Sequence, residues 1–234
     1  MGDSTRDDLE ELIESELFQP AALPEKLLTA EILQRHGSAV AAVLFYGSCL
    51  RQHTSEGVLD FYVLVDGYRA AYRSRLLAWA NAALPPNVFY LEIESELGPL
   101  RSKYAVISMR DFERGARSDG LRSGIWARFC QPALAVQTRD DAAREAVARA
   151  VAEAVVTSVA KALPLLAARA GSIRFSAEEL WQRVFRETYS AELRPEDPET
   201  ILKIYRADPQ RYDRAARAAL ARLPVSEQDR KSVV

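Results

Sequence analysis

The chain has 234 residues, of which 48% are hydrophobic, and 31 Lys and Arg stand against 33 Asp and Glu for a formal net charge of −2. That length gives room for one large domain or two small ones with a substantial core, and the near balance of charge argues against a general polyanion binder such as a nonspecific nucleic-acid protein. Two cysteines, Cys49 and Cys130, are too few for a disulfide scaffold or a cysteine metal cluster and fit a reducing compartment.

The first segment, MGDSTRDDLEELIESEL, is acidic and amphipathic and lacks the basic, apolar and small-residue order of a secretory signal, so it reads as an ordinary helix with apolar spacing from Leu9 to Phe18. A second helix is expected over LPEKLLTAEILQRHG, with Gly37 as its stop and His36 as a charge near its C-terminal end. AVAAVLFYG and VLDFYVLVD are short, apolar, rich in β-branched and aromatic residues and bounded by glycines, which predicts two buried strands. Between them SCLRQHTSEG has room for a helical turn or a loop.

RAAYRSRLLAWANAAL has helical periodicity and ends at Pro85 and Pro86. NVFYLEIES and KYAVISM read as the next strands, joined through ELGPLRS. From about Ser118 the texture changes to alanine- and arginine-rich helix, ending in PQRYDRAARAALARL. The expected fold is therefore α+β: a mixed sheet with helices over residues 1–117, followed over 118–234 by a smaller, mainly helical domain. No apolar run reaches the roughly 18 to 20 residues of a membrane span, so any membrane contact is expected to be peripheral.

The stretch FYGSCLRQ followed by VLDFYVLVD carries the chemistry. A glycine-serine turn lets the backbone approach a nucleoside triphosphate, with main-chain N–H groups and the Ser48 hydroxyl as donors, and Asp60 supplies a hard oxygen for magnesium. Strand alternation puts Asp60 and Tyr62 on one face, where a two-metal nucleotidyltransferase would carry a pair of acids, and only one acid is present. Asp66 shares the parity but lies roughly 20 Å along the strand. On the next strand Tyr90, Glu92 and Glu94 share a face, which makes Glu92 the first candidate for a second ligand. Cys49 has no histidine and acid beside it in sequence and reads as a small packing residue, and His53 reads as an exposed loop histidine.

Three stretches, taken in order, resemble the mitochondrial-type phosphatidate cytidylyltransferases, the peripheral CDP-diacylglycerol synthases of the translocator-maintenance family. The YGSC turn with its VLDFYVLVD strand is similar to that family's YGSG turn and aspartate strand. RSKYAVIS, with IWARFCQPA after it, places Lys103, Arg128 and Pro132 at matching positions, and ETYSAELRPEDPETILKIY does the same for Tyr189, Glu192 and Arg194. Together they span most of residues 40 to 215. The chain departs from the family pattern at Cys49 and Ala191, where glycines are usual, and at Glu192, where an aspartate is usual.

The resemblance implies a nucleotidyltransferase-like sheet, a second domain of winged-helix-like kind, and a magnesium-dependent reaction of CTP with phosphatidate on a cytoplasmic, inner-membrane surface. It implies Asp60, Lys103 and Glu192 as catalytic residues, Asp60 as a ligand of Mg2+ assisted by Glu192 or by the Glu92 already read from strand parity, and Tyr46, Gly47, Ser48, Arg128 and Arg194 as the nucleotide- and phosphate-holding set. A basic terminal helix, with Arg211, Arg214, Arg217 and Arg222 around Tyr212, Ala216, Ala219, Leu220 and Leu223, is the expected contact with an anionic membrane. A transferase of the same fold acting on a soluble phosphorylated acceptor, or a decayed nucleotide-binding protein, are the alternatives.

Overall fold

The computed structural model describes residues 7–117, 124–170, 175–191 and 198–224, with side chains described for all of these except 167–170, 189–191 and 198–200. The fold is α+β, with a five-stranded mixed sheet in the order β3-β4-β2-β1-β5 and a layout consistent with the nucleotidyltransferase-like arrangement expected. The strands are β1 (Val40–Tyr46), β2 (Val58–Val65), β3 (Asn87–Ser95), β4 (Gly98–Ser108) and β5 (Ala133–Thr138). β2 and β4 are parallel, and every other neighbouring pair is antiparallel.

Contacts divide the chain into two compact units, and neither is one continuous stretch. A sheet unit comprises Ser15–Arg114 and Pro132–Ala148, and a helical unit comprises Met1–Glu14, Gly115–Gln131 and Arg149–Val234. The single boundary at residue 117 therefore does not describe the contacts, because β5, expected to be part of the helical half, pairs with β1 as an edge of the sheet. Its sequence, ALAVQT, is short and half alanine or polar, so β propensity gives it little signal, and pairing with a neighbouring strand decides its state.

α1 (Asp8–Leu17), whose residues up to Glu14 belong to the helical unit, precedes α2 (Leu23–His36) of the sheet unit, which ends where Gly37 takes a positive φ of 60°. A core cluster lies on one face of the sheet, where Val43, Phe45, Phe61, Val63, Leu91, Tyr104 and Val106 pack with Leu28 and Ile32 of α2. His36, expected as a charge near the helix end, belongs to the interior. It is buried, its Nδ1 lies 3.0 Å from the Ala71 carbonyl oxygen, and its ring meets those of Tyr72 and Tyr104 edge-on. Burial holds its pKa below the ordinary imidazole value.

A short helix, α3 (Ser48–Gln52), joins β1 to β2. The segment read as one helix before the prolines is two, α4 (Tyr68–Ala71) and α5 (Arg75–Ala83), because Ser74 takes an extended conformation and caps α5 by accepting from the Leu77 N–H. After β4 come α6 (Met109–Ala116) and α7 (Gly124–Phe129). The long helix α8 (Asp141–Ala170) is followed by α9 (Ala177–Ala191), α10 (Pro198–Ala207) and α11 (Pro209–Arg222).

The helical unit contains no strand among its described residues. Its core forms around Trp181, whose indole N–H donates to the Tyr212 carbonyl at 2.7 Å and whose ring lies 4.9 Å from that of Tyr212. α11 starts where the Asp208 carboxylate accepts from the Arg211 N–H and Pro209 fills the first turn. The apolar face expected to meet a membrane is instead covered by the unit itself, with Tyr212, Ala215, Ala216, Ala219 and Leu220 buried. Arg211 is buried too, donating to the Cys130 carbonyl at 3.0 Å, and Arg222 is bound to Asp7, Glu10 and Glu153. Spacing alone does not separate a helix face that packs inward from one that meets lipid.

Candidate functional site

The two strands flanking the opening turn place its residues. β1 ends at Tyr46, Gly47 turns with φ 95° and ψ −160°, and Ser48 opens α3 with its side chain exposed. Only glycine is at ease in that conformation. β2 returns antiparallel, pairing Asp60 with Tyr46, so the carboxylate comes back to the turn. A Cβ placed on Gly47 would meet Asp60 Oδ2 at 3.2 Å. The glycine both makes the turn and leaves room for the acid.

The parallel β2–β4 register pairs Asp60 with Lys103, and the β3–β4 hairpin pairs Lys103 with Tyr90. Paired residues point to the same side of a sheet. Tyr90, Lys103, Asp60 and Tyr46 therefore form one lateral row across four strands, on the face opposite Phe61, Tyr104 and Leu91 of the core. Lys103 and Tyr90 are exposed and Asp60 and Tyr46 half-buried. A row of acid and amine flanked by phenols, beside a glycine turn, is suited to holding a polyphosphate and a cation together.

Tyr62, at the position of the absent second acid, is a buried packing residue. Its ring lies 5.3 Å from that of Tyr46 and 6.3 Å from that of Phe112 on α6. Hydrophobic burial holds this position, so a charge there would be desolvated.

Glu92 sits on the Asp60 face but one step away along β3, paired with Arg101. Its carboxylate accepts from the Tyr90 hydroxyl at 2.8 Å and forms an ion pair with Arg101 at 3.3 Å. The Tyr90 hydrogen bond first, then Arg101, hold its pKa down despite slight desolvation. Two strand spacings and one register step separate the Cα atoms of Glu92 and Asp60 by roughly 11 Å. The structure does not bring them together. Arg101 was missed by sequence reasoning, although counting outward from a two-residue turn at Glu96 and Leu97 gives both the 92–101 and the 90–103 pairs.

Arg128 lies on α7 in the helical unit and is half-buried, on a helix whose Ile125, Trp126, Ala127 and Phe129 are buried. Glu192 and Arg194 lie outside the described residues, as does the side chain of Tyr189. Asp66, at the far end of β2, is held by Arg139 at 2.5 Å. Cys49 is buried with its thiol toward the Val58 carbonyl, and burial, then the Asp60 charge, push its pKa up, which keeps it a protonated packing group rather than a nucleophile.

Among the described residues no three or more His, Cys, Asp or Glu side chains cluster as a ready-made metal cage. Mg2+ bound with a nucleotide takes one or two carboxylates and completes its shell with phosphate oxygens and water. Asp60 as a single hard donor beside Lys103 fits an ion that arrives with a triphosphate. No described helix is long and apolar enough to cross a membrane.

No protein-family model matches the chain, and no curated protein matches it significantly.

Proposed function

We propose that the chain is a magnesium-dependent cytidylyltransferase that joins CTP to phosphatidate at a membrane surface, giving CDP-diacylglycerol and pyrophosphate. The observation that carries the reading is the Asp60 carboxylate seated against Gly47 with Lys103 beside it in register. The choice of cytidine and of a lipid acceptor rests on the resemblance of the YGSC, KYAVIS and YSAELR stretches.

In this reading the Gly47–Ser48 turn receives the triphosphate, with the Ser48 hydroxyl and nearby main-chain N–H groups donating to its oxygens. Asp60 holds Mg2+, which when bound neutralises charge on the phosphates. Lys103 adds a positive charge next to the same oxygens. An oxygen of the phosphatidate monoester attacks the α-phosphorus, the bond to the β-phosphate oxygen breaks, and pyrophosphate carries away the electron pair. The attacking monoester is already largely ionised near neutral pH, so the reaction needs positioning and charge compensation rather than a strong base. That matches a row of one acid, one amine and two phenols with no histidine in it.

The test is incubation with labelled CTP, Mg2+ and phosphatidate in mixed micelles. Label in the lipid fraction, lost in Asp60→Ala, supports the reading. Nucleotide binding with label only on a soluble phosphorylated acceptor replaces the lipid with that acceptor, and no nucleotide binding removes the reading altogether.

A further inference from the structure

Helix α5 is built inside out. A surface helix normally buries its large apolar residues and exposes its polar ones. In α5 the buried positions are Ala78 and Asn81, while Leu76 and Trp79 are 73% and 70% exposed, and Leu77 and the following Leu84 are also exposed.

The cause is the polar anchor. Asn81 is fully buried, its carbonyl oxygen accepting from the Tyr72 hydroxyl and its amide N–H donating to the Val106 carbonyl at 3.2 Å. A buried amide with both ends satisfied is costly to turn out. This fixes the rotation of the helix, and that rotation sends both leucines and the tryptophan outward.

Along the segment that carries this face the charge has one sign. Between Asp66 and Glu92 there is no acidic residue, in a chain with 33 of them, while Arg69, Arg73 and Arg75 are exposed and form no ion pair among the described residues. A second copy seated through this segment would oppose its arginines to the same arginines, with no acid of the segment to answer them. A surface both apolar and anionic matches leucine, an interfacial tryptophan and arginine together.

We propose that α5 and Leu84 form a docking surface for an anionic lipid bilayer, with Leu76, Leu77, Trp79 and Leu84 entering the acyl boundary and Arg69, Arg73 and Arg75 meeting the headgroups. The chain runs from Leu84 directly into β3, the edge strand whose Tyr90 stands in the row with Lys103 and Asp60. The proposal deepens the cytidylyltransferase reading by naming the surface that meets the lipid, yet it stands on α5 alone.

The experiment is flotation of the full chain with vesicles of phosphatidylcholine and phosphatidylglycerol, or of phosphatidylcholine alone, without CTP or Mg2+. Trp126 and Trp181 are buried, so brominated acyl chains report on Trp79, and a Trp79→Phe variant should float but lose the quenching. The expected result is flotation with the anionic vesicles, lowered about a hundredfold in partitioning by Leu76→Ser with Trp79→Ser. Arg73→Gln with Arg75→Gln should lower it about thirtyfold. Arg214→Gln with Arg217→Gln on α11 should leave it unchanged.

The proposal is overturned by a chain that does not float with anionic vesicles, by flotation indifferent to the Leu76 and Trp79 substitutions, or by a wild-type dimer that those substitutions convert to a monomer. A chain that floats but transfers no cytidylyl group keeps this proposal and loses the other; one that transfers it without docking through α5 does the reverse.

Discussion

Gly47 and Asp60 share one small volume: a methyl group on the glycine would stand 3.2 Å from the aspartate Oδ2, and Gly47 also holds a φ of 95°. Two separate demands, backbone conformation and room for a carboxylate, meet at one residue. Gly37 has a comparable φ of 60°, but a methyl group there would find nothing within 4 Å. Gly47→Ala and Gly37→Ala should each cost about 1–3 kcal/mol of stability from the backbone. Only Gly47→Ala should also lose nucleotide binding, and paired denaturant melts and CTP titrations would separate the two effects. Equal loss of binding in both variants would refute a special role for the turn.

Asp60 is half-buried and Lys103 exposed, so neither supports the core. Asp60→Asn should retain the melting temperature within a few degrees while lowering transfer about a hundredfold or more, and Lys103→Ala should lower it about tenfold or more. Glu92→Gln should change transfer much less, since that carboxylate is engaged by Tyr90 and Arg101. Initial rates with purified variants decide the order, and a Glu92→Gln loss equal to that of Asp60→Asn would restore Glu92 as a direct ligand.

Restoring a second acid by Tyr62→Asp should damage the fold rather than repair a two-metal site. The phenol ring packs between Tyr46 and Phe112, and its replacement by a desolvated carboxylate should cost roughly 3–5 kcal/mol. Tyr62→Phe keeps the packed ring and should cost much less. Urea denaturation of both variants reads this directly; a stable Tyr62→Asp protein with raised activity is the contrary result.

His36 gives the sheet unit a pH dependence. Its folded pKa lies below the ordinary value, so the unfolded chain takes up the proton more readily. The contribution is therefore fully present above about pH 6.5 and is lost as pH falls from there through the depressed folded value. The unfolding free energy measured from pH 7.5 to pH 5 should fall more steeply for the wild type than for His36→Gln. Parallel slopes would show that the imidazole stays accessible to protons in the native state.

Much of the sheet was legible because short apolar runs bounded by glycines have few other uses. β1, β2 and β3 fall where AVAAVLFYG, VLDFYVLVD and NVFYLEIES place them, and α2 stops at Gly37. β5 was not legible, since ALAVQT has weak strand propensity and owes its state to its neighbour β1. The candidate residues Gly47, Ser48 and Asp60 were readable from one turn and one strand, and Tyr46 came with the resemblance. That Lys103 joins their row, and that Glu92 stands apart with Arg101, depended on register.

The sequence by itself determined the α+β class, the glycine turn and the parity that sets Asp60 and Tyr62 on one face, because these follow from local sterics and the two-residue period of a strand. Tertiary structure decided which apolar faces are spent on the fold. The α11 stripe is buried under Trp181 and its neighbours, whereas the leucines of α5 are turned to the surface by one buried asparagine. A helical pattern records that a face is apolar, and only packing against the rest of the chain determines what covers it.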